Sequence, residues 1–146
     1  MAIWSLYQAF KRIDDDRGKT CELGQSAVGG LRGILKAWMV QAPQLERFKQ
    51  DQTPLNALHS KFHLETGEEV YSVKEYNHLQ INAVSEYLLF LCQAISSGLH
   101  VIWTPGEVCL VQNLVYYVER AYRIPDFGIW GRGSKYNDGT CEVQAR

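Results

Sequence analysis

Residues 125–133, with the sequence PDFGIWGRG, combine side chains that could hold a ligand. Asp126 offers a carboxylate and Arg132 a guanidinium. Phe127 and Trp130 add two aromatic rings. The stretch is rich in Gly and Pro and follows a long helical pattern, which predicts a loop. Loops held by helices often carry binding groups, but aromatic residues also fill cores, so both interpretations stay open.

Two other clusters contain residue types that bind metals. The run 14–16 is three adjacent aspartates, but no calcium-loop spacing of oxygen ligands follows it, which favours a solvated connector. His59 and His63 would share one face of a helix, whereas on a strand they would lie roughly 13 Å apart, too far for one ion. We therefore expect no metal site and no cofactor.

The composition of the chain argues against several classes of protein. The chain has 146 residues, 46% of them hydrophobic and 21% charged, which predicts one folded domain. A net charge of −1 without a basic run argues against a nucleic-acid surface. The 4 cysteines form no CxxC motif, which favours free thiols over disulfides or zinc. Without a signal-peptide pattern or a long apolar run, a soluble intracellular chain is expected.

Apolar residues recur at helical spacing in four stretches, 3–13, 21–41, 78–97 and 105–123. In the second stretch four glycines oppose the apolar stripe, which predicts close approach by another helix. The third is apolar nearly all round and should be buried on several sides.

The start of the fourth helix carries the strongest local signal. Thr104, Pro105 and Glu107 are typical of a capping box with Pro in the first turn. Gly98 should end the third helix, and the short connection predicts an antiparallel hairpin. Earlier in the chain, Pro43 should end the second helix. Residues 44–54 are expected to form a polar connector with at most one helical turn.

Residues 58–73 show loose alternation around a polar turn at 65–68. This pattern predicts a small β-hairpin inserted between helices.

Three motifs together resemble the regulatory α/β subunits of phosphorylase b kinase. They are RIDDD at 12–16, NHLQINAV at 77–84 and PDFGIWGRG at 125–133. Four segments are most similar to the β type: RIDDD at 12–16, FKQD at 48–51, LQINAVS at 79–85 and GSKYN at 133–137. The resemblance covers about residues 3–142.

The amino-terminal part of those subunits is similar to the family 15 glycoside hydrolases, the glucoamylases. The resemblance therefore implies an all-α fold, a partial (α/α)6 toroid of antiparallel helix hairpins with a small inserted β-hairpin. Residues 1–146 would be part of a single glucoamylase-like domain, truncated at both ends.

The same resemblance implies that catalytic residues are missing. Inverting glycosidases need two carboxyl groups on opposite sides of the bond that breaks. In glucoamylases the general acid is a Glu directly after a Trp in a loop similar to 125–133, but Gly131 follows Trp130 here. The family's base lies beyond Arg146. We expect no catalytic residue and no enzyme activity.

A remnant of a sugar groove is the most that the resemblance implies for binding. Glucoamylases carry a Gln and an Asp in a segment similar to 79–82, where this chain keeps Gln80 but has Asn82. A neutral amide can hydrogen-bond a sugar hydroxyl but carries no charge. The candidate sugar-binding residues are His78, Gln80, Asn82, Trp130 and Arg132. Capping of a helix start explains Gln80 and Asn82 equally well.

The function implied is that of a non-catalytic regulatory and scaffolding subunit of phosphorylase b kinase, in the calcium-dependent control of glycogen breakdown. Its partners would be the α and γ subunits and calmodulin. It would lie in the cytoplasm, or at the cytoplasmic face of the cell membrane through a prenyl anchor whose Cys-a-a-X motif is absent here. The alternative is a glucosidase-related, glucan-binding module without hydrolytic activity.

Overall fold

A computed structural model of the chain describes residues 2–13, 17–63, 65–70 and 80–124. The described part is all-α, and it contains five α-helices and one short 3-10 helix. The α-helices are α1 (Ala2–Phe10), α2 (Lys19–Val40), α3 (Ala42–Gln50), α4 (Ile81–Ser96) and α5 (Pro105–Ala121). The 3-10 helix spans Pro54–Asn56. The four predicted helices are confirmed as α1, α2, α4 and α5, with bounds shifted by a few residues.

Helix α3 corrects the prediction of a polar connector at 44–54. Pro43 lies in the first turn of α3, where its missing N–H would have no helical partner in any case. The proline therefore begins a helix instead of only ending one. Gln44, Leu45 and Phe48 are buried, so packing holds a helix whose own sequence pattern is weak.

In the described residues the predicted β-hairpin at 58–73 is reduced to a single antiparallel bridge between Phe62 and Glu69, without a named strand. Just before this bridge, side chains of other elements bind the backbone. The N–H of Leu58 donates to the hydroxyl of Tyr117 at 3.0 Å. The N–H of His59 donates to Gln41 Oε1 at 2.7 Å.

Local signals define the connection between α4 and α5. Gly98 follows α4 with a φ of 89°, the left-handed conformation expected of a helix-ending glycine. The capping box of α5 is confirmed, because Glu107 N donates to Thr104 Oγ1 and Thr104 N donates to Glu107 Oε2. The two helices are therefore joined by the short connection that an antiparallel hairpin requires.

The hydrophobic core lies between α2, α3, α4 and α5. Two aromatic pairs lie in it: Trp38 meets Tyr87 edge-on with ring centroids 4.7 Å apart, and Phe48 meets Tyr117 in a tilted arrangement at the same distance. Helix α1 packs at the side and buries only Tyr7.

The structure corrects the predicted burial of α4 and shows which face of α5 is buried. Leu89 of α4 is 63% exposed, so α4 is not buried on several sides as predicted. On α5, Val108 is 57% exposed and Val115 is 47% exposed. The buried face of α5 is instead Glu107, Leu110, Leu114, Tyr117 and Ala121. Both faces of α5 carry apolar residues at helical spacing, so periodicity alone could not choose between them.

The expectation of close helix approach at the glycines of α2 holds at one position. A Cβ added at Gly24 would lie 3.2 Å from the ring of Tyr7 in α1, whereas one at Gly29, Gly30 or Gly33 would meet no atom within 4 Å.

Cys21, Cys92 and Cys109 are exposed free thiols. Cys141 lies outside the described residues. None of the described helices has the length and hydropathy needed to cross a membrane.

Candidate functional site at the start of helix α4

Gln80 lies immediately before α4 and ties it to the segment that precedes it. Its Oε1 accepts a hydrogen bond from Ser60 Oγ at 2.6 Å. Although Gln80 occupies the N-cap position, its side chain makes no capping hydrogen bond. The capping interpretation of this residue is therefore wrong.

Asn82 lies in the first turn of α4, and its side-chain oxygen Oδ1 is buried without a hydrogen-bond donor in the described part of the chain. Ser85 Oγ, close by along the helix, is also buried without a partner there. Most buried polar atoms in proteins are hydrogen-bonded. Two polar atoms near the start of α4 are therefore buried without a hydrogen-bond partner among the described residues.

The structure describes two of the five predicted sugar-binding residues and places them together at the start of α4. These are Gln80 and Asn82. His78, Trp130 and Arg132 lie outside the described residues, as do Phe127 and Gly131.

The segment leading to this site is held by a side chain of the residue that follows α2. Gln41 Oε1 accepts from His59 N, and Gln41 Nε2 donates to His59 O at 3.2 Å. The ring of His59 is buried, and its Nε2 lies 3.1 Å from Glu69 Oε2. Burial lowers the pKa of His59, so the neutral ring forms a hydrogen bond here and not an ion pair at neutral pH.

His63, by contrast, is exposed. In residues 2–13, 17–63, 65–70 and 80–124 no group of three or more His, Cys, Asp or Glu side chains could hold a metal ion.

An open groove of about 400 Å³ lies between α2 and α4, and we call it the α2–α4 groove. Ser60, the partner of Gln80, lines it, so the groove reaches the start of α4. Its wall is mostly apolar. Two polar atoms of lining residues, Trp38 Nε1 and Tyr87 Oη, are buried without a partner among the described residues. Sequence reasoning did not find this groove, because its walls come from residues far apart in the chain.

A buried ion pair, also not predicted, links α2 to α5. Arg32 Nη2 lies 2.9 Å from Glu107 Oε1, and Arg32 Nη1 donates to Val101 O at 2.7 Å. The guanidinium stacks on Trp103, with Cζ 3.2 Å from the ring centroid. Hydrogen bonds from Arg32 and then from Trp103 N lower the pKa of Glu107 from 4.5 to about 2. The pair is satisfied within the chain, which indicates a structural role.

The chain belongs to the glycosyl hydrolases family 15, whose sequence profile matches residues 1–144. The all-α structure agrees with a fragment of the helical toroid expected for that family.

Within this family, the chain is similar to proteins named as subunits of a kinase. It is 65% identical over 144 residues to the probable phosphorylase b kinase regulatory subunit beta of Drosophila melanogaster. It is 47% identical over 148 residues to the probable regulatory subunit alpha of the same organism, and 40% identical over 148 residues to the liver isoform of the alpha subunit of Mus musculus. Each alignment covers 99% of this chain but 12% or 13% of the relative. The chain thus spans about an eighth of the length of these relatives.

Proposed function

We propose that this chain is part of a β-type regulatory subunit of phosphorylase b kinase and acts in the control of glycogen breakdown without catalysing a reaction itself. The observation that carries the proposal is the 65% identity over 144 residues to the fruit-fly beta subunit, against 47% for the alpha subunit of the same organism. An identity this much higher for beta than for alpha favours the β type. The proposed role of the domain is scaffolding within the kinase assembly.

The absence of glycosidase activity is part of the proposal. Gly131 follows Trp130 where a glucoamylase-type acid would need a Glu, and Gln80 and Asn82 are neutral amides. Glu86 is the single carboxylate among the described residues that line the α2–α4 groove. One carboxylate cannot act as both acid and base on opposite sides of a glycosidic bond.

The partners proposed are the α and γ subunits and calmodulin, in an assembly that responds to calcium. Attachment to the cytoplasmic face of the cell membrane through prenyl groups is proposed for the assembly. The proposed partners and the proposed membrane attachment both follow from the resemblance of the chain to this family of regulatory subunits.

Co-expression of the tagged chain with the α and γ subunits and calmodulin tests the assembly role. We expect stoichiometric capture of the other subunits on the tag, and no capture by an unrelated tagged helical domain. If the chain is soluble and folded but captures none of them, the scaffolding proposal fails.

A second candidate function is glucan binding without hydrolysis. The observation that favours it is the buried, unpartnered Oδ1 of Asn82 beside Gln80, whose orientation Ser60 fixes. The proposed sugar site would use His78, Gln80, Asn82, Trp130 and Arg132. Calorimetric titration with maltooligosaccharides should show weak binding. The Asn82→Ala variant should lose this binding. The control variant Asn113→Ala, which changes an asparagine of α5, should keep it.

The two outcomes of this titration differ in meaning. Equal binding by both variants, or none by the parent chain, excludes the sugar site but leaves the scaffolding proposal intact. Release of glucose would overturn the proposal that the chain is not an enzyme.

A further inference from the structure

We draw no further inference here: the strongest candidate, the open cleft along the amino-terminal part of α2 beside the exposed ring of Trp103, is a largely apolar surface, and nothing in the described part of the chain shows what covers it.

Discussion

At the scale of single residues, Glu107 has two structural roles, and the sequence pattern predicted only the capping role. It closes the capping box with Thr104 and it pairs with Arg32 across the core. A carboxylate has two oxygens, and here Oε2 accepts from the backbone of residues 103 and 104 while Oε1 accepts from the guanidinium. The cap fixes where α5 begins, and the pair fixes α5 against α2.

Glu107 should make the stability of the chain fall in acid. Its pKa is lowered from 4.5 to about 2 in the folded chain, so the unfolded chain binds the proton more readily. The stabilisation is therefore complete above pH 4.5 and is lost as the pH falls toward 2. Glu107→Gln should melt at a lower temperature than the parent chain at pH 7, and the difference should shrink on acidification. Melting curves that stay parallel from pH 7 to pH 3 would contradict this role.

The hydroxyl of Tyr117 should stabilise the backbone before α4. It accepts the N–H of Leu58 at 3.0 Å inside the core. Tyr117→Phe leaves that buried N–H without its acceptor and should lower the free energy of unfolding by about 1–3 kcal/mol. Tyr116→Phe is the control, because Tyr116 is exposed and its change should stay within about 0.5 kcal/mol. Urea denaturation of both variants measures the difference, and equal values would show that the bond contributes nothing.

At the scale of elements, two glycines should respond to alanine in opposite directions. Gly98 has a φ of 89°, which alanine adopts only at a cost of roughly 1–2 kcal/mol. Gly33 lies inside α2 with open space where a Cβ would be, so alanine should stabilise the helix by about 1 kcal/mol. Thermal unfolding should show Gly98→Ala melting below the parent chain and Gly33→Ala melting above it. A higher melting temperature for Gly98→Ala than for the parent chain would refute the left-handed backbone conformation of residue 98 after α4.

Elements defined by neighbours in sequence could be predicted, and those defined by distant side chains could not. The capping box of α5 and the end of α4 at Gly98 depend on residues within a few positions of each other, and both are confirmed. The conformation of residues 58–63 depends on hydrogen bonds with the side chains of Gln41 and Tyr117. No local alternation of residue types reveals that these distant side chains bind the backbone of residues 58 and 59.

At the scale of the whole molecule, the outer side of α5 is an exposed apolar surface. Val108 and Val115 lie on it, separated by Gln112. Surfaces of this kind promote association. The replacement of both valines by glutamine should reduce the concentration-dependent association of the chain in sedimentation velocity, and Gln112→Val should increase it. These changes leave the net charge unaltered. If all variants sediment alike, the outer side of α5 is not the surface through which the chain associates.

The candidate site was predictable in part for a similar reason. Gln80 and Asn82 are close in sequence, and their place at the start of a helix followed from the pattern of 78–97. The α2–α4 groove beside them is formed by residues from four separate segments. Its walls meet only in the tertiary fold, which no local motif in the chain encodes.

The contact between Gln41 and residue 59 has a consequence for how the family can evolve. The amide of Gln41 pairs with the N–H and the C=O of residue 59, and not with its side chain. Because only an amide offers a donor and an acceptor at the same planar end, substitutions at position 41 should be rejected whatever residue occupies position 59. In an alignment of homologues, position 41 should therefore be nearly invariant and should not covary with position 59. Methods that infer contacts from correlated substitutions would then fail to detect this tertiary contact.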